Sequence, residues 1–269
     1  MSGLAPTLDA ALAELARRPQ VLVALDFDGV LAPIVADPDA ARALPRSARA
    51  VYALAALDGV HVALVSGRTL ADLRRLADPP PSASLVGSHG AQVADEHGRD
   101  VGAATTLDEA SRILLARVSA ELHRISARYP GTFVEDKPAG SVLHTRQIVV
   151  RDDATRAATA AAQGPGSWPG VRMTLGKEVV DLTVVDVDKG VALLRLRDAW
   201  GLPPGSGGVM YIGDDVTDED AFAVLDDASG DVTVKVGEGP TGAQHRIDDP
   251  DAVADVLLRI LDLLGTRRG

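Results

Sequence analysis

The chain alternates short, wholly apolar runs with longer stretches of helical periodicity. Val21-Leu22-Val23-Ala24-Leu25 and Val60-His61-Val62-Ala63-Leu64-Val65 are about six residues each and rich in β-branched side chains, the pattern of strands buried on both faces. Leu8 to Arg18 carries an apolar stripe of Leu8, Leu12 and Leu15 and stops at Pro19, predicting an amphipathic helix. A second helix is expected from Ser47 to Leu57, closed by Asp58-Gly59, and a third from a Thr69 cap to Leu76, broken by Asp78-Pro79-Pro80-Pro81. Ser84-Leu85-Val86 completes the set as a third strand. Strand and helix alternating in this way predict a doubly wound parallel sheet.

The rhythm changes after Val101. Thr106 to Arg128 reads as one long helix ended by Tyr129-Pro130-Gly131. Short extended pieces follow at Gly131–Glu135, Ser141–Val150, Val171–Leu175 and Val179–Val185, enclosing a helix from Asp153 to Gln163. Parallel rhythm resumes at Lys189 with a helix to Trp200 and a strand Val209–Ile212, then an acidic turn Gly213–Asp220 and a helix through Leu225. A strand Val232–Val236, a glycine-rich loop to Gly242 and a closing helix Asp251–Leu264 end the chain. The predicted fold class is therefore α/β. A doubly wound parallel-sheet (Rossmann-like) core of residues 1–101 and 186–269 carries an inserted α+β cap of residues 102–185.

Composition narrows the function. Across 269 residues the apolar share is 46% but the aromatic share only 3%, so the core is expected to be Ala, Val and Leu. A net charge of −11 argues against nonspecific nucleic-acid binding and against an anionic membrane surface. Absence of cysteine excludes disulfides, zinc–thiolate centres and thiol catalysis. No apolar run is long enough to span a bilayer, and the N-terminus lacks the basic start and apolar stretch of a signal peptide, so a cytoplasmic location is expected. Only four of the 27 basic residues are lysine (Lys137, Lys177, Lys189, Lys235), which biases each of them towards a chosen ammonium.

In open parallel sheets, ligands sit beyond the carboxyl ends of the strands. Four such ends here carry polar groups: Asp26/Asp28, Ser66, the Gly87–Gly90 turn, and Asp214/Asp215/Asp218. Asp26 and Asp28, two apart, can face one site, and like charges that close call for a cation or a proton between them. The pair fits a site for a hard metal, an attacking carboxylate, or both; alone it reads first as a solvated acidic turn, and the convergence of several strand ends is what decides against that.

The ordered set Asp26-Phe27-Asp28-Gly29-Val30-Leu31, Ser66-Gly67-Arg68, Lys189 and Gly213-Asp214-Asp215 resembles the four motifs of the haloacid dehalogenase superfamily of phosphotransferases. Within it, Gly87-Ser88-His89-Gly90, Glu135-Asp136-Lys137, Leu143-His144-Thr145-Arg146, Gly176 to Asp181 and Gly213 to Phe222 resemble the trehalose-6-phosphate phosphatases, over residues 20 to 262. The resemblance implies Mg²⁺-dependent hydrolysis of trehalose 6-phosphate. Asp26 would be the nucleophile and Asp28 the acid/base. Asp26, Asp214 and the Asp28 backbone carbonyl would be metal ligands, with Asp215 and Asp218 in support. Ser66 and Lys189 would hold the phosphoryl group, and Gly67 and Arg68 would lie at the substrate. His89 and the cap residues Lys137, His144, Arg146, Lys177 and Glu178 are the candidates for sugar recognition. A small-molecule sugar phosphate, no nucleic acid, no membrane and a monomeric chain are expected. Another sugar-phosphate or glycosyl-glycerate phosphatase with the same cap, a mutase, and a catalytically silent phosphosugar-binding module are the alternatives. One position departs from the family: Val30 stands where threonine is common, and a hydroxyl that could orient the acid/base aspartate is missing.

Overall fold

In the computed structural model, residues 4–95, 97, 107–176, 178–185, 188–202 and 207–266 are described. The first apolar run forms β1 (Gln20–Asp26), flanked in parallel by β2 (Val60–Val65) and β9 (Gly207–Gly213). With β3 (Ser84–Gly87), β4 (Gln92–Ala94), β10 (Val232–Val236) and β11 (His245–Ile247) these give a seven-stranded sheet in the order β11-β10-β9-β1-β2-β3-β4. Alternation along β1 explains why its run is apolar throughout. Val21, Val23 and Leu25 join one core with α1 (Pro6–Leu15), α2 (Pro45–Ala55), α3 (Leu70–Ala77) and α8 (Pro250–Gly265), whereas Leu22 and Ala24 join the core beneath α6 (Lys189–Ala199) and α7 (Glu219–Ala223). Register aligns the strand ends: Asp26 pairs with Val65, Leu25 with Ile212 and Val65 with Val86. The turns that follow β1, β2, β3 and β9 therefore leave one edge of the sheet.

Caps set several helix starts as the sequence suggests. Thr69 accepts the Asp72 amide and Asp188 the Val191 amide, while Asp249 accepts the Ala252 amide ahead of Pro250. His61, within the second apolar run, stacks on Trp200 at 3.7 Å between ring centres.

The contact pattern divides the chain into two units, Met1–Gly102 with Asp188–Gly269, and Ala103–Val187. The second unit is an antiparallel sheet of β5 (Phe133–Lys137), β6 (Gly140–His144), β8 (Val179–Thr183) and β7 (Arg172–Gly176), in that spatial order. Leu143, Val180 and Leu182 pack against α4 (Glu109–Ser126) and α5 (Arg151–Gln163) on one face. Of the expected boundaries, residues 101, 102 and 186 lie outside the described residues, as does Thr106 at the expected helix start.

Three details differ from the expected pattern or add to it. The main sheet is not wholly parallel, because β4 pairs antiparallel with β3; three residues after a tight turn are too few to show a pattern. The strand expected over Ser141–Val150 stops at His144: the Thr145 amide turns to the Glu178 carbonyl, and Val149 is 95% exposed. The short β11 at the far edge, with partly exposed His245 and exposed Arg246, also escaped the pattern.

Candidate active site

At the end of β1 the buried run hands over to a tight turn in which Leu31 and Ala32 both donate to the Phe27 carbonyl. Phe27, Val30 and Leu31 tuck into the core, which leaves Asp26 and Asp28 as the turn's polar groups. Asp26 is 5% exposed. Its Oδ1 accepts the Phe27 amide at 2.6 Å and its Oδ2 accepts Lys189 Nζ at 2.6 Å. Lys189, the first residue of α6, is 2% exposed and donates again to Asp218 Oδ1 at 2.7 Å.

Asp218 is fully used. Tyr211 Oη, from β9, donates to the same Oδ1 at 2.7 Å, and the amides of Asp214 and Asp215 donate to Oδ2 at 2.9 and 2.8 Å. A carboxylate offers about four lone-pair sites, so Asp218 ties the acidic turn to Lys189 from within. Asp214 is left to face outward over β1: a Cβ on Gly29, whose φ is +74°, would lie 1.9 Å from Asp214 Oδ2. Glycine is required there both for the left-handed backbone and for the approach. Lys235, at the end of β10, donates to the Asp214 carbonyl. Asp215 turns away and caps the next turn, its Oδ1 accepting the Val216 amide.

Ser66 follows β2, is buried, and its Oγ accepts the Arg68 amide at 3.2 Å. His89 lies against the same turn. Ser88 and His89 both adopt left-handed backbone (φ 50° and 54°), and their amides bond the carbonyls of Arg68 and Ser66. A Cβ on Gly67 would meet the His89 ring at 2.4 Å, so close packing of ring on backbone demands that glycine. Arg68, expected at the substrate, reaches onto Asp28: Nε donates to Oδ2 at 2.6 Å and Nη2 to Oδ1 at 2.7 Å, with a further bond to the Pro38 carbonyl at 2.9 Å.

Electrostatics mark the site as short of positive charge. Burial pushes Asp26 well above the ordinary carboxylate range, with Asp218 and Asp214 adding to it against the opposing pull of Lys189. Asp214 is raised to about 7 by burial and by Asp218. Burial also works against the Lys189 charge, but Asp218 and Asp26 outweigh it and keep the ammonium protonated. Carboxylate oxygens of Asp26, Asp214 and Asp218 lie within 4.8 Å of one another. An all-oxygen set whose repulsion Lys189 offsets only in part suits a hard divalent cation. Because Asp218 is saturated, Asp26 and Asp214 are the side chains free to hold one.

The second unit carries its own polar set. Lys137 Nζ reaches Asp181 at 3.0 Å, His144 Nε2 lies 2.9 Å from Glu135 Oε2, and Arg146 donates to His144 Nδ1 at 3.3 Å. Glu178 sits in the β7–β8 turn with φ +62°, its carbonyl held by Thr145. Lys177 lies outside the described residues. Sequence reasoning missed Tyr211 and Lys235 as members of the first set. The scarcity of lysine was the available signal for Lys235; a tyrosine in a buried apolar strand gave none.

A buried carboxylate, a buried ammonium and an acidic turn thus meet at the carboxyl edge of the sheet, and the fold is like that of a solved haloacid dehalogenase-like hydrolase from B. subtilis, with a TM-score of 0.61 at 15% identity over 88% of this chain and 98% of that one. The trehalose-phosphatase family model matches residues 24–253, and the chain belongs to that family. It is 36% identical over 258 residues to the trehalose-phosphate phosphatase of Mycobacterium tuberculosis H37Rv, covering 91% of this chain and 62% of that protein. The chain thus spans less than two thirds of that relative. It is 32% identical over 225 residues to the trehalose-6-phosphate phosphatase of Escherichia coli K12, covering 82% and 79%. The solved C-terminal domain of the Candida albicans trehalose-6-phosphate phosphatase superposes with a TM-score of 0.81 at 22% identity, over 96% of this chain and 97% of that one, a likeness of fold. Among the described residues, no helix is long and apolar enough to cross a membrane.

Proposed function

We propose that the chain hydrolyses trehalose 6-phosphate to trehalose and inorganic phosphate. Membership of the trehalose-phosphatase family supports the substrate. The observation that carries the chemistry is Asp26, buried at the end of the central strand with one oxygen on Lys189 and with Asp28 two residues on. Phosphoryl transfer is catalysed chiefly by positioning and by neutralising charge on the transferred group. Asp26 attacks phosphorus, forming the aspartyl–phosphorus bond as the bond to the sugar oxygen breaks, and Asp28 donates the proton that oxygen needs. Water then attacks the aspartyl-phosphate, Asp28 takes its proton, and Asp26 is released with inorganic phosphate. Lys189 holds Asp26 in line and offsets charge on the phosphoryl oxygens, and the Ser66 hydroxyl donates to one of them. Asp26, Asp214 and the Asp28 carbonyl would hold Mg²⁺, which supplies positive charge against the transferring phosphoryl group. Recognition of the sugar is assigned to the second unit, whose polar strand residues include Lys137, His144 and Arg146.

Phosphate release from trehalose 6-phosphate, sucrose 6-phosphate and mannosyl-3-phosphoglycerate tests the reading. Selective hydrolysis of the first is expected. No such selectivity would overturn the substrate, and an active Asp26→Asn protein would overturn the aspartyl-phosphate route.

A further inference from the structure

The sheet of the second unit has two unlike faces. Val134 and Asp136 of β5 point to the helices, where Val134 packs on the core and Asp136 bonds Ser119 and His123 of α4. Alternation then puts Phe133, Glu135 and Lys137 on the opposite face. Phe133 is the odd member. It is 41% exposed, although the chain has only three Phe, three Tyr and two Trp. It is outside the unit's apolar core. Among the described residues its one ring contact is His144, directly across the strand pair, stacked at 4.2 Å between centroids with 5° between planes. His144 in turn is fixed by Glu135 and Arg146. The phenyl ring is thus braced from one side, flat, and in a row with a carboxylate and an ammonium.

That combination has a specific chemical complement. A pyranose ring presents C–H groups on its faces and hydroxyls around its rim, so it suits an aromatic plane flanked by charged hydrogen-bonding groups. Residues two apart on a strand are separated by about 7 Å, close to the span of one pyranose ring with its hydroxyls. We propose that Phe133 is a sugar-stacking residue that receives one pyranose ring of the substrate, with His144 bracing it from behind. The inference rests on the sugar-phosphatase reading above and adds to it the side chain that grips the ring. It competes with a purely structural account, in which Phe133 and His144 merely pair across the sheet end.

The two accounts separate on substrate. Phe133→Ala and Phe133→Leu are compared with the unaltered chain on trehalose 6-phosphate and on acetyl phosphate, which has no sugar ring. Loss of the aromatic plane is expected to raise KM for trehalose 6-phosphate roughly tenfold, with kcat and acetyl phosphate turnover little changed. Phe133→Trp is expected to keep the sugar phosphate, and free trehalose should show upfield C–H shifts with the unaltered chain that vanish with Phe133→Leu. Equal losses on both substrates in the Leu variant, or unchanged KM for the sugar phosphate, would overturn the stacking role. An unaltered chain that spares trehalose 6-phosphate while cleaving acetyl phosphate would instead overturn the substrate reading on which the inference rests.

Discussion

Replacing Asp218 by asparagine removes a charge without removing volume, and the consequences can be counted from its four bonds. Oδ1 accepts Lys189 Nζ and Tyr211 Oη, and Oδ2 accepts the amides of Asp214 and Asp215. An asparagine side chain has one oxygen and one NH₂ group, so in either orientation one of these donor pairs loses its acceptor and faces another donor. Each buried donor left unmet costs about 1–3 kcal/mol, giving about 2–6 kcal/mol for the pair. That is a large share of the roughly 5–15 kcal/mol that holds a typical domain folded. Urea unfolding of the metal-free variant at pH 7 should register this loss as a lower midpoint. The pH dependence supplies a second signature. Burial raises the Asp218 carboxyl, but Lys189 and the Asp215 amide more than offset it and leave it below its ordinary value. A depressed carboxyl contributes stability above its unfolded value near 4 and loses it as pH falls through the folded value. The gap between the unaltered chain and Asp218→Asn should therefore narrow below pH 4. Calorimetric titration with Mg²⁺ supplies the refutation: a variant that keeps full stability but no longer binds the ion would mean that Asp218 ligates directly and that its four bonds do not bind the turn together.

Arg68→Lys keeps the charge but not the fork that reaches both Asp28 oxygens. Turnover of trehalose 6-phosphate should fall roughly tenfold to a hundredfold, with guanidinium ion restoring part of the loss in Arg68→Ala; undiminished turnover in both would refute the positioning. Asp26 and Asp214 titrate with raised values, Asp214 at about 7, mainly through burial. Raised carboxyls contribute stability that is present below about pH 4 and lost as pH rises through their folded values. The metal-free chain should accordingly unfold at a lower temperature at pH 8 than at pH 5, and Mg²⁺ should raise the unfolding temperature more at pH 8; thermal unfolding with EDTA or Mg²⁺ at both values decides it.

The strands that place the site were legible because burial on both faces of β1, β2 and β9 writes itself as uninterrupted apolar runs, and their ends are marked by abrupt polar turns. Asp26 and Asp214 could thus be put on one edge from the string alone, whereas Lys189 joined them only through the family resemblance. What the sequence withheld was which carboxylate does what inside the acidic turn. Asp215 and Asp218 look alike in the string; only the path of the turn sends Asp218 inward to Lys189 and Tyr211 and Asp215 outward to cap Val216. The partnering of Arg68 with Asp28, 40 residues apart, likewise follows from the adjacency of β1 and β2 and from no local pattern.

That partnering bears on Val30, the one position in the first turn where the usual hydroxyl is missing. Val30 has 0% exposure and belongs to the core formed with Phe27 and Leu31, so its side chain points inward, away from polar groups. Orientation of Asp28 cannot come from it. Arg68 takes both Asp28 oxygens and also grips the Pro38 carbonyl, which anchors the loop after the turn. The same guanidinium therefore fixes the carboxylate and the loop that shelters it. Each Asp28 oxygen accepts one donor from Arg68 and keeps a further lone pair, so the clamp fixes the position of the carboxylate without closing it to a proton. On the proposed mechanism one clamp therefore serves both halves of the reaction: Arg68 holds Asp28 in place while the lone pairs turned away from the guanidinium give up and take back the proton.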